Sequence, residues 1–477
     1  MDCLSSLSLG EEEQLQSLHK ELATLRSRGE SSKRPSEGRR QAHAKGKLIV
    51  CALRRPVKVT TDQSGGVTLE ESSGGFKRAI DGLESECEVH WVTWPGEIYG
   101  AAAQDTLRDK LQAENNTTAV YLTRELVDLY YRQLCGQELW MLYHSRPRKI
   151  GLNRQTRLYE AFVAANRLFL EAVSRCYVPG DIVLVYDFPL LLLPSLVRRR
   201  FANARVGLFM DTRFPSPDIY CTSPLRSQLL HGMLGADTIT FHDSKYSRNF
   251  GGACTRVLGL TTSPKSVVHE GRTVNLSVNP LGITPELFAL TPALRTRIAA
   301  LRHRFEGMRI IIGMDRLNPC RGLPHKLLAF ESMLTKYPQW RGKVVFVLVV
   351  REPWGGDWSQ FEALRAEVDT LIGRIHGTFA TADYSPIRYL HKSLPAQEVI
   401  ALYAVSDVAL FTSTCEGLDL AALEYVACQQ PKSEGVLMYS EFAGCAQALR
   451  ATRGAVIVNP FDTEVCRGFA RRAHGRR

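Results

Sequence analysis

Residues 309–326, RIIIGMDRLNPCRGLPHK, carry the reading that decides the fold. Ile310, Ile311 and Ile312 are three consecutive β-branched residues, the pattern of a short strand buried on both faces. Gly322 offers the backbone freedom of a turn, and Pro324 suits the first turn of a following helix. The stretch therefore predicts strand, turn and helix, with Arg316 and Arg321 on the loop where the strand ends. Open parallel sheets bind ligands beyond the carboxyl ends of their strands. Two guanidinium groups there match a diphosphate, because each can fork onto phosphate oxygens. Read from these residues alone, a solvated surface turn bearing two arginines accounts for the pattern better.

Downstream, strand and helix signals alternate. LPHKLLAFESMLTKYP places Leu327, Phe330 and Met333 on one helix face, VVFVLVV reads as a second buried strand, and VALFTS as another. The chain then enters TCEGLDLAALEYVACQQ, a turn with Glu416 and Gly417 followed by a helix whose first-turn N–H groups are free to meet phosphate. Glu424 is expected two turns inside that helix, roughly on the face of Glu416. It suits a ribose or sugar diol there, or simply faces solvent. GVLMYSEFAG and GAVIVNPFD supply the last strands.

Upstream, residues 284–305 form a helical connector, and the domain boundary is set near Leu287. The first domain opens with a buried strand, Leu48–Ala52, running into Arg54 and Arg55 before Pro56 stops it. A small-residue loop with Gly74 and Gly75 precedes a helix start, where backbone N–H groups can approach an anion. HWVTWPG is a strand with Trp94 at its tip, and residues 106–178 read as largely helical, with an aromatic-rich insertion. Tyr131 and Trp140 in that insertion suit a sugar pocket or plain core packing. DIVLVYDF ends with Asp187 and ARVGLFMDTRF with Asp211 and Arg213, so both aspartates are expected on one rim.

The whole chain bounds these readings. At 477 residues it is too long for one ordinary core. The expected organisation is an extension over 1–46, a Rossmann-like domain over 47–286, a second Rossmann-like domain over 287–461, and a basic tail over 462–477. A composition 44% hydrophobic and 23% charged is that of a globular protein, and no run approaches a membrane span. The acidic start, MDCLSSLSLGEEEQ, does not read as a secretory signal, and the 12 cysteines lack metal-ligand spacing. A cytoplasmic protein with reduced thiols is expected, without metal or cofactor. The net charge of +11 comes with no zinc-finger or RNA-binding pattern. Phosphorylated small molecules, rather than nucleic acid, account for the internal arginines. Leu15, Leu18, Leu22 and Leu25 recur at helical spacing, which suggests a partner-binding stripe or a frayed tail.

The alternation, with an anionic cleft between two halves, describes a GT-B glycosyltransferase. The segments SSGGFKRAI, FPSPDIY, LHGMLGADTITFH, YPQWRGKVVFV, SPIRYLHKSL and EFAGCAQAL make the resemblance specific. The sequence resembles the UDP-forming trehalose-6-phosphate synthases of glycosyltransferase family twenty from about Leu48 to Pro460. The resemblance implies metal-free, retaining transfer of glucose from UDP-glucose to glucose 6-phosphate. It implies acceptor contacts from Arg54, Trp94, Tyr131, Trp140 and Asp187. Donor contacts are implied from Gly75, Asp211, Arg316, Arg321, Glu416, Gly417, Leu418, Asp419, Leu420 and Glu424. The catalytic assignment falls on Asp187, Arg316, Arg321 and Glu416.

Departures from the family's motifs are concentrated at the site. HTPFP has become Asp211–Pro215 (DTRFP), HDYH has become YDFP over 186–189, DRLDYIKG has become DRLNPCRG over 315–322, and RDGMNLV has become CEGLDLA over 415–421. Gly355 stands where a phosphate arginine is expected, with Arg351 nearby, and an arginine-rich tail stands where the family continues in a helix. Two expectations follow. One is an active glucosyltransferase. The other is a catalytically impaired regulatory or scaffold subunit that binds sugar phosphate or nucleotide, self-associating or joining a trehalose-pathway protein through the N-terminal leucine stripe.

Overall fold

The computed structural model describes residues 46–54, 57–61, 67–71, 75–84, 86–147, 151–352, 361–429, 435–444 and 446–462. The leucine stripe, Gly355 and nearly all of the basic tail lie outside them.

Two sheets use separate stretches of the chain. In the first half, β1 (Leu48–Ala52) is followed by a hairpin of β2 (Val57–Thr61) and β3 (Val67–Glu71), then by β4 (Val89–Thr93) and β5 (Thr117–Ala119). β6 (Ile182–Tyr186), β7 (Arg205–Met210) and β8 (Thr238–Phe241) come next, and β9 (Thr262–Ser263), β10 (Ser266–His269) and β11 (Arg272–Val278) close the half. These strands, without the hairpin, form one sheet ordered β5-β4-β1-β6-β7-β8-β11-β10-β9. The second half contributes β12 (Arg309–Arg316), β13 (Val344–Arg351), β14 (Ile387–His391), β15 (Val408–Phe411), β16 (Val436–Ser440) and β17 (Val456–Val458). Their order is β14-β13-β12-β15-β16-β17, all parallel.

Each half thus contains the doubly wound order, with strand sequence reversing between β1 and β6 and again between β12 and β15. Such a reversal opens a crevice at the carboxyl ends of the two flanking strands. Two parallel-strand sheets of this kind make the α/β GT-B architecture expected from the sequence. Near-continuous apolar runs form the central strands. Every residue of Val344–Val350 in β13 is buried, as are Ile310–Asp315 in β12, because helices cover both faces.

Three features were not foreseen. The hairpin follows directly on the Arg-Arg-Pro stop. The strand Thr117–Ala119 interrupts residues 106–178, which are largely helical among the described residues. Val127–Leu139 winds with wide i→i+5 hydrogen bonds, as where the Trp140 N–H reaches the Cys135 carbonyl. The strand–turn–helix of residues 309–326 is present, with one correction. Arg316 is the last residue of β12 rather than a loop residue, and Arg321 lies on a single short turn, Pro319–Arg321. Gly322 follows at φ 64°, where a Cβ would lie 1.9 Å from the Thr412 carbonyl oxygen, so only glycine fits. The helix Leu323–Lys336 then begins.

Candidate active site

The wall contributed by the first half is acidic. Asp187 leaves β6 at φ 62° and ψ 179°, a backbone region that is essentially glycine's, so its carboxylate is held there by strained backbone. Thr212 donates to its carboxylate from both backbone N–H (3.0 Å) and hydroxyl (2.8 Å). Burial, together with the neighbouring Asp211 charge, lifts the Asp187 carboxyl to about 7 despite those donors. Asp211, one strand over, accepts from the Tyr186 hydroxyl at 2.7 Å and from His242 Nε2 at 2.6 Å. The Leu281 N–H donates to His242 Nδ1, which leaves Nε2 as the protonated nitrogen facing Asp211. Both aspartates therefore share one rim, as expected. Tyr186 and His242 were missed, although each sits at or next to a strand end.

The wall contributed by the second half is basic. Arg316 ends β12 directly opposite Arg351 at the end of β13. Burial and the charges of Arg351 and Arg321 bring Arg316 down to about 10. Cations crowded this way are what an anionic ligand would relieve. Arg321 donates Nη1–H to Asp419 at 2.8 Å and lies 3.1 Å from Glu416 through Nε. Burial alone would push Arg321 down, but Glu416, Asp419 and Asp315 hold it up. Asp419 also caps the helix Leu420–Cys428 by accepting the Ala421 N–H. The Glu416 carboxyl is raised to about 7 by burial, with Arg321 opposing and Asp419 adding to the rise. Beneath the wall, Lys326 makes a fully buried ion pair with Asp315 at 2.5 Å and also donates to the Leu410 carbonyl, so it ties β12 to β15.

The two walls meet closely. A Cβ on Gly417 would lie 2.9 Å from the Asp211 carbonyl oxygen, and one on Gly75 would run into the Leu420 side chain. Arg213 donates to Cys415 Sγ at 2.8 Å, and the Tyr246 hydroxyl donates to the Glu416 carbonyl at 3.1 Å. Glu424 lies one turn into its helix rather than two, and it pairs with Arg78 across the two halves at 2.9 Å. Leu418 is half-buried.

The acceptor-side residues form two groups. The Arg54 guanidinium lies over the rings of Trp94 (4.6 Å) and Tyr131 (5.1 Å), a cation held on two aromatic faces. Trp140 lies apart from that cage. It stacks on His144 at 4.0 Å, and the His144 carbonyl accepts from Cys415. Among the described residues no group of three or more His, Cys, Asp or Glu side chains is placed to hold a metal ion, and no helix is long and apolar enough to cross a membrane.

Comparison with known proteins agrees with this geometry. The sequence pattern of the family described as Glycosyltransferase family 20 matches residues 46–473. Alpha,alpha-trehalose-phosphate synthase [UDP-forming] 2 of Aspergillus niger is 39% identical over 426 residues, covering 88% of this chain and 87% of its own. The Schizosaccharomyces pombe synthase is 38% identical over 425 residues, covering 88% and 82%. Among solved structures, the Candida albicans trehalose-6-phosphate phosphatase N-terminal domain aligns with a TM-score of 0.80 at 29% identity, over 90% of this chain and 88% of that one. An Escherichia coli protein bound with UDP-2-fluoro glucose aligns with a TM-score of 0.77 at 26% identity, over 89% and 91%.

Proposed function

The chain belongs to glycosyltransferase family 20, and from that premise we propose that it transfers glucose from UDP-glucose to glucose 6-phosphate, with retention, giving trehalose 6-phosphate and UDP. The observation that carries this reading is the cluster of Arg316 and Arg351, paired at the ends of β12 and β13, with Arg321 on the turn after β12, in the half whose Gly417 loop packs against Asp211 of the other.

In this reading Arg316 and Arg321 stabilise the negative charge that develops on the departing diphosphate. Glu416 holds a hydroxyl of the donor glucose with a lone pair left over from its contact with Arg321, since a carboxylate has about four acceptor positions. Arg54, steadied by Trp94 and Tyr131, holds the acceptor phosphate, and Asp187 holds the acceptor sugar. The leaving phosphate takes the acceptor proton on the same face, so neither a protein nucleophile nor a metal is required. The domain limits near 46, 287 and 461, a cytoplasmic location and association through the leucine stripe belong to the same proposal. The test is UDP release from UDP-glucose with and without glucose 6-phosphate, and identification of the sugar product. Acceptor-dependent UDP and trehalose 6-phosphate support the reading; UDP release indifferent to the acceptor overturns it.

A second reading, a binding or regulatory subunit without turnover, draws on two specific observations. Arg321 is already neutralised by Glu416 and Asp419, and Glu424 by Arg78. The fold also occurs as the N-terminal domain of the Candida albicans trehalose-6-phosphate phosphatase. Absence of product, with UDP still raising the melting temperature, selects this second reading.

A further inference from the structure

Three of the departures from the family's motifs touch one another. Cys320 stands for the isoleucine of DRLDYIKG, Cys415 for the arginine of RDGMNLV, and Arg213 for the first proline of HTPFP. Cys320 lies on the short turn after β12, and its carbonyl accepts the Thr414 N–H at 2.8 Å, so the two cysteine-bearing loops are joined at the backbone. Both thiols are free and buried, and each bears on the ionisation of the other. Arg213 Nη1–H points at Cys415 Sγ from the opposite wall, while the neutral Cys415 S–H donates to the His144 carbonyl at 2.9 Å. The next residue after each cysteine is a donor-site residue, Arg321 after Cys320 and Glu416 after Cys415.

We propose that Cys320 and Cys415 form a dithiol modification site, closed reversibly by peroxide to an intrachain disulfide that disables the adjoining donor site. The roles of the two thiols differ. The neighbouring Cys320 thiol, and then Arg213, which donates to Cys415 Sγ, and the charge of Arg146 favour the Cys415 thiolate against its burial, whereas Cys320 is held as the thiol. The Cys415 thiolate attacks one oxygen of hydrogen peroxide. The O–O bond breaks, hydroxide leaves, and Cys415 becomes a sulfenic acid. The Cys320 sulfur then attacks the Cys415 sulfur, the S–O bond breaks, and the oxygen departs as water with the Cys320 proton. The net change is two thiols and one peroxide to one disulfide and two waters, with two electrons passing from sulfur to oxygen.

Bonding draws the two sulfurs to about 2.05 Å, which displaces the turns that aim Arg321 and Glu416. A displacement of ~1 Å at such groups lowers turnover ~100-fold. This last step rests on the glycosyltransfer reading; the bond itself does not.

The test treats the full chain with hydrogen peroxide, blocks remaining thiols with N-ethylmaleimide, and maps peptides without reduction. A Cys320–Cys415 cross-linked peptide that dithiothreitol dissolves is expected, with UDP affinity lowered tenfold or more by oxidation and restored by reduction. Cys320→Ser is expected to lose the cross-link and to accumulate a Cys415 sulfenic acid trapped by dimedone. Both cysteines blocked by maleimide after peroxide, or either one linked elsewhere, overturns the site. A cross-link that leaves UDP affinity unchanged overturns the switch. Reduced protein that does not bind UDP at all defeats the glycosyltransfer reading while leaving the cross-link standing.

Discussion

The two walls of the cleft solve opposite electrostatic problems. On the first half, Asp187 and Asp211 approach each other, and each is supplied with its own donors: Thr212 for one, Tyr186 and His242 for the other. On the second half, the carboxylates are already given to Arg321, and the charge left over belongs to Arg316 and Arg351. Among the described residues the acidic wall is internally satisfied, whereas on the basic wall no carboxylate pairs with Arg316, whose one hydrogen bond is to the Glu352 carbonyl at 3.5 Å. A phosphate-bearing ligand therefore has its strongest electrostatic reason to bind at the end of β12. It also follows why Asp211 can replace the family's histidine: its side chain is about a third exposed and both carboxylate oxygens have donors. Its cost has been met by two neighbours within the same wall.

The comparison can be broken most severely at Arg316. Arg316→Ala is expected to lower kcat/KM for acceptor-dependent UDP release by roughly 10²–10³, the usual consequence of removing a donor aimed at developing charge. Unchanged turnover would mean that the basic wall is not the leaving-group site. Next in size is the support beneath it. Lys326→Met leaves Asp315 buried without its cation, and urea unfolding is expected to show a loss of about 3–5 kcal/mol. Asp211→His probes the acidic wall. If the aspartate attenuates an active site, restoring the family residue should raise turnover about tenfold, the worth of roughly one charged hydrogen bond, and a fall would show that this chain's wall is built around the aspartate.

The pH dependence of stability sharpens the contrast further. The folded-state pKa of Asp187 is raised to about 7, so its stabilising contribution is fully present below its unfolded pKa near 3.9 and is lost as pH rises through about 7. Melting temperature should fall across that window, and Asp187→Asn should flatten the fall; an unchanged slope would show that Asp187 does not titrate there. The smallest effect concerns the pair that joins the halves. Arg78 and Glu424 are each about one-fifth exposed, so Arg78→Ala should change UDP affinity only about two- to fivefold. Tightening, read by calorimetry, is the expected direction, because Glu424 is then free for a ribose diol.

How much of this was legible beforehand differs by region. The two sheets were readable because their central strands are unbroken apolar runs, such as Val344–Val350, bounded by turn residues. Arg316, Arg321, Asp187 and Asp211 were readable because carboxyl ends of parallel strands are where ligands bind. The hairpin was not, since VKVTT and VTLEE are short and flank a polar sequence, DQSGG, that reads as a loop. Nor was the wide helix, whose aromatic spacing reads as ordinary α. Tyr186, His242 and Arg78 escaped notice for a common reason. Each acts on a residue distant in sequence, and nothing local distinguishes a charge that faces solvent from one that faces a carboxylate. The same holds for Cys320 and Cys415, which looked like scattered thiols until the fold joined their loops.

Gly322 has one more consequence. Its carbonyl accepts from the Thr412 hydroxyl at 2.9 Å, and its bare Cα lets the Thr412 backbone press against it. The loop bearing Arg321 and the loop bearing Glu416 are thereby riveted into a single jaw whose shape is set when the chain folds. A ligand arriving at that jaw has little ordering left to do, so the entropy that loose loops would surrender on association is spent before any substrate appears.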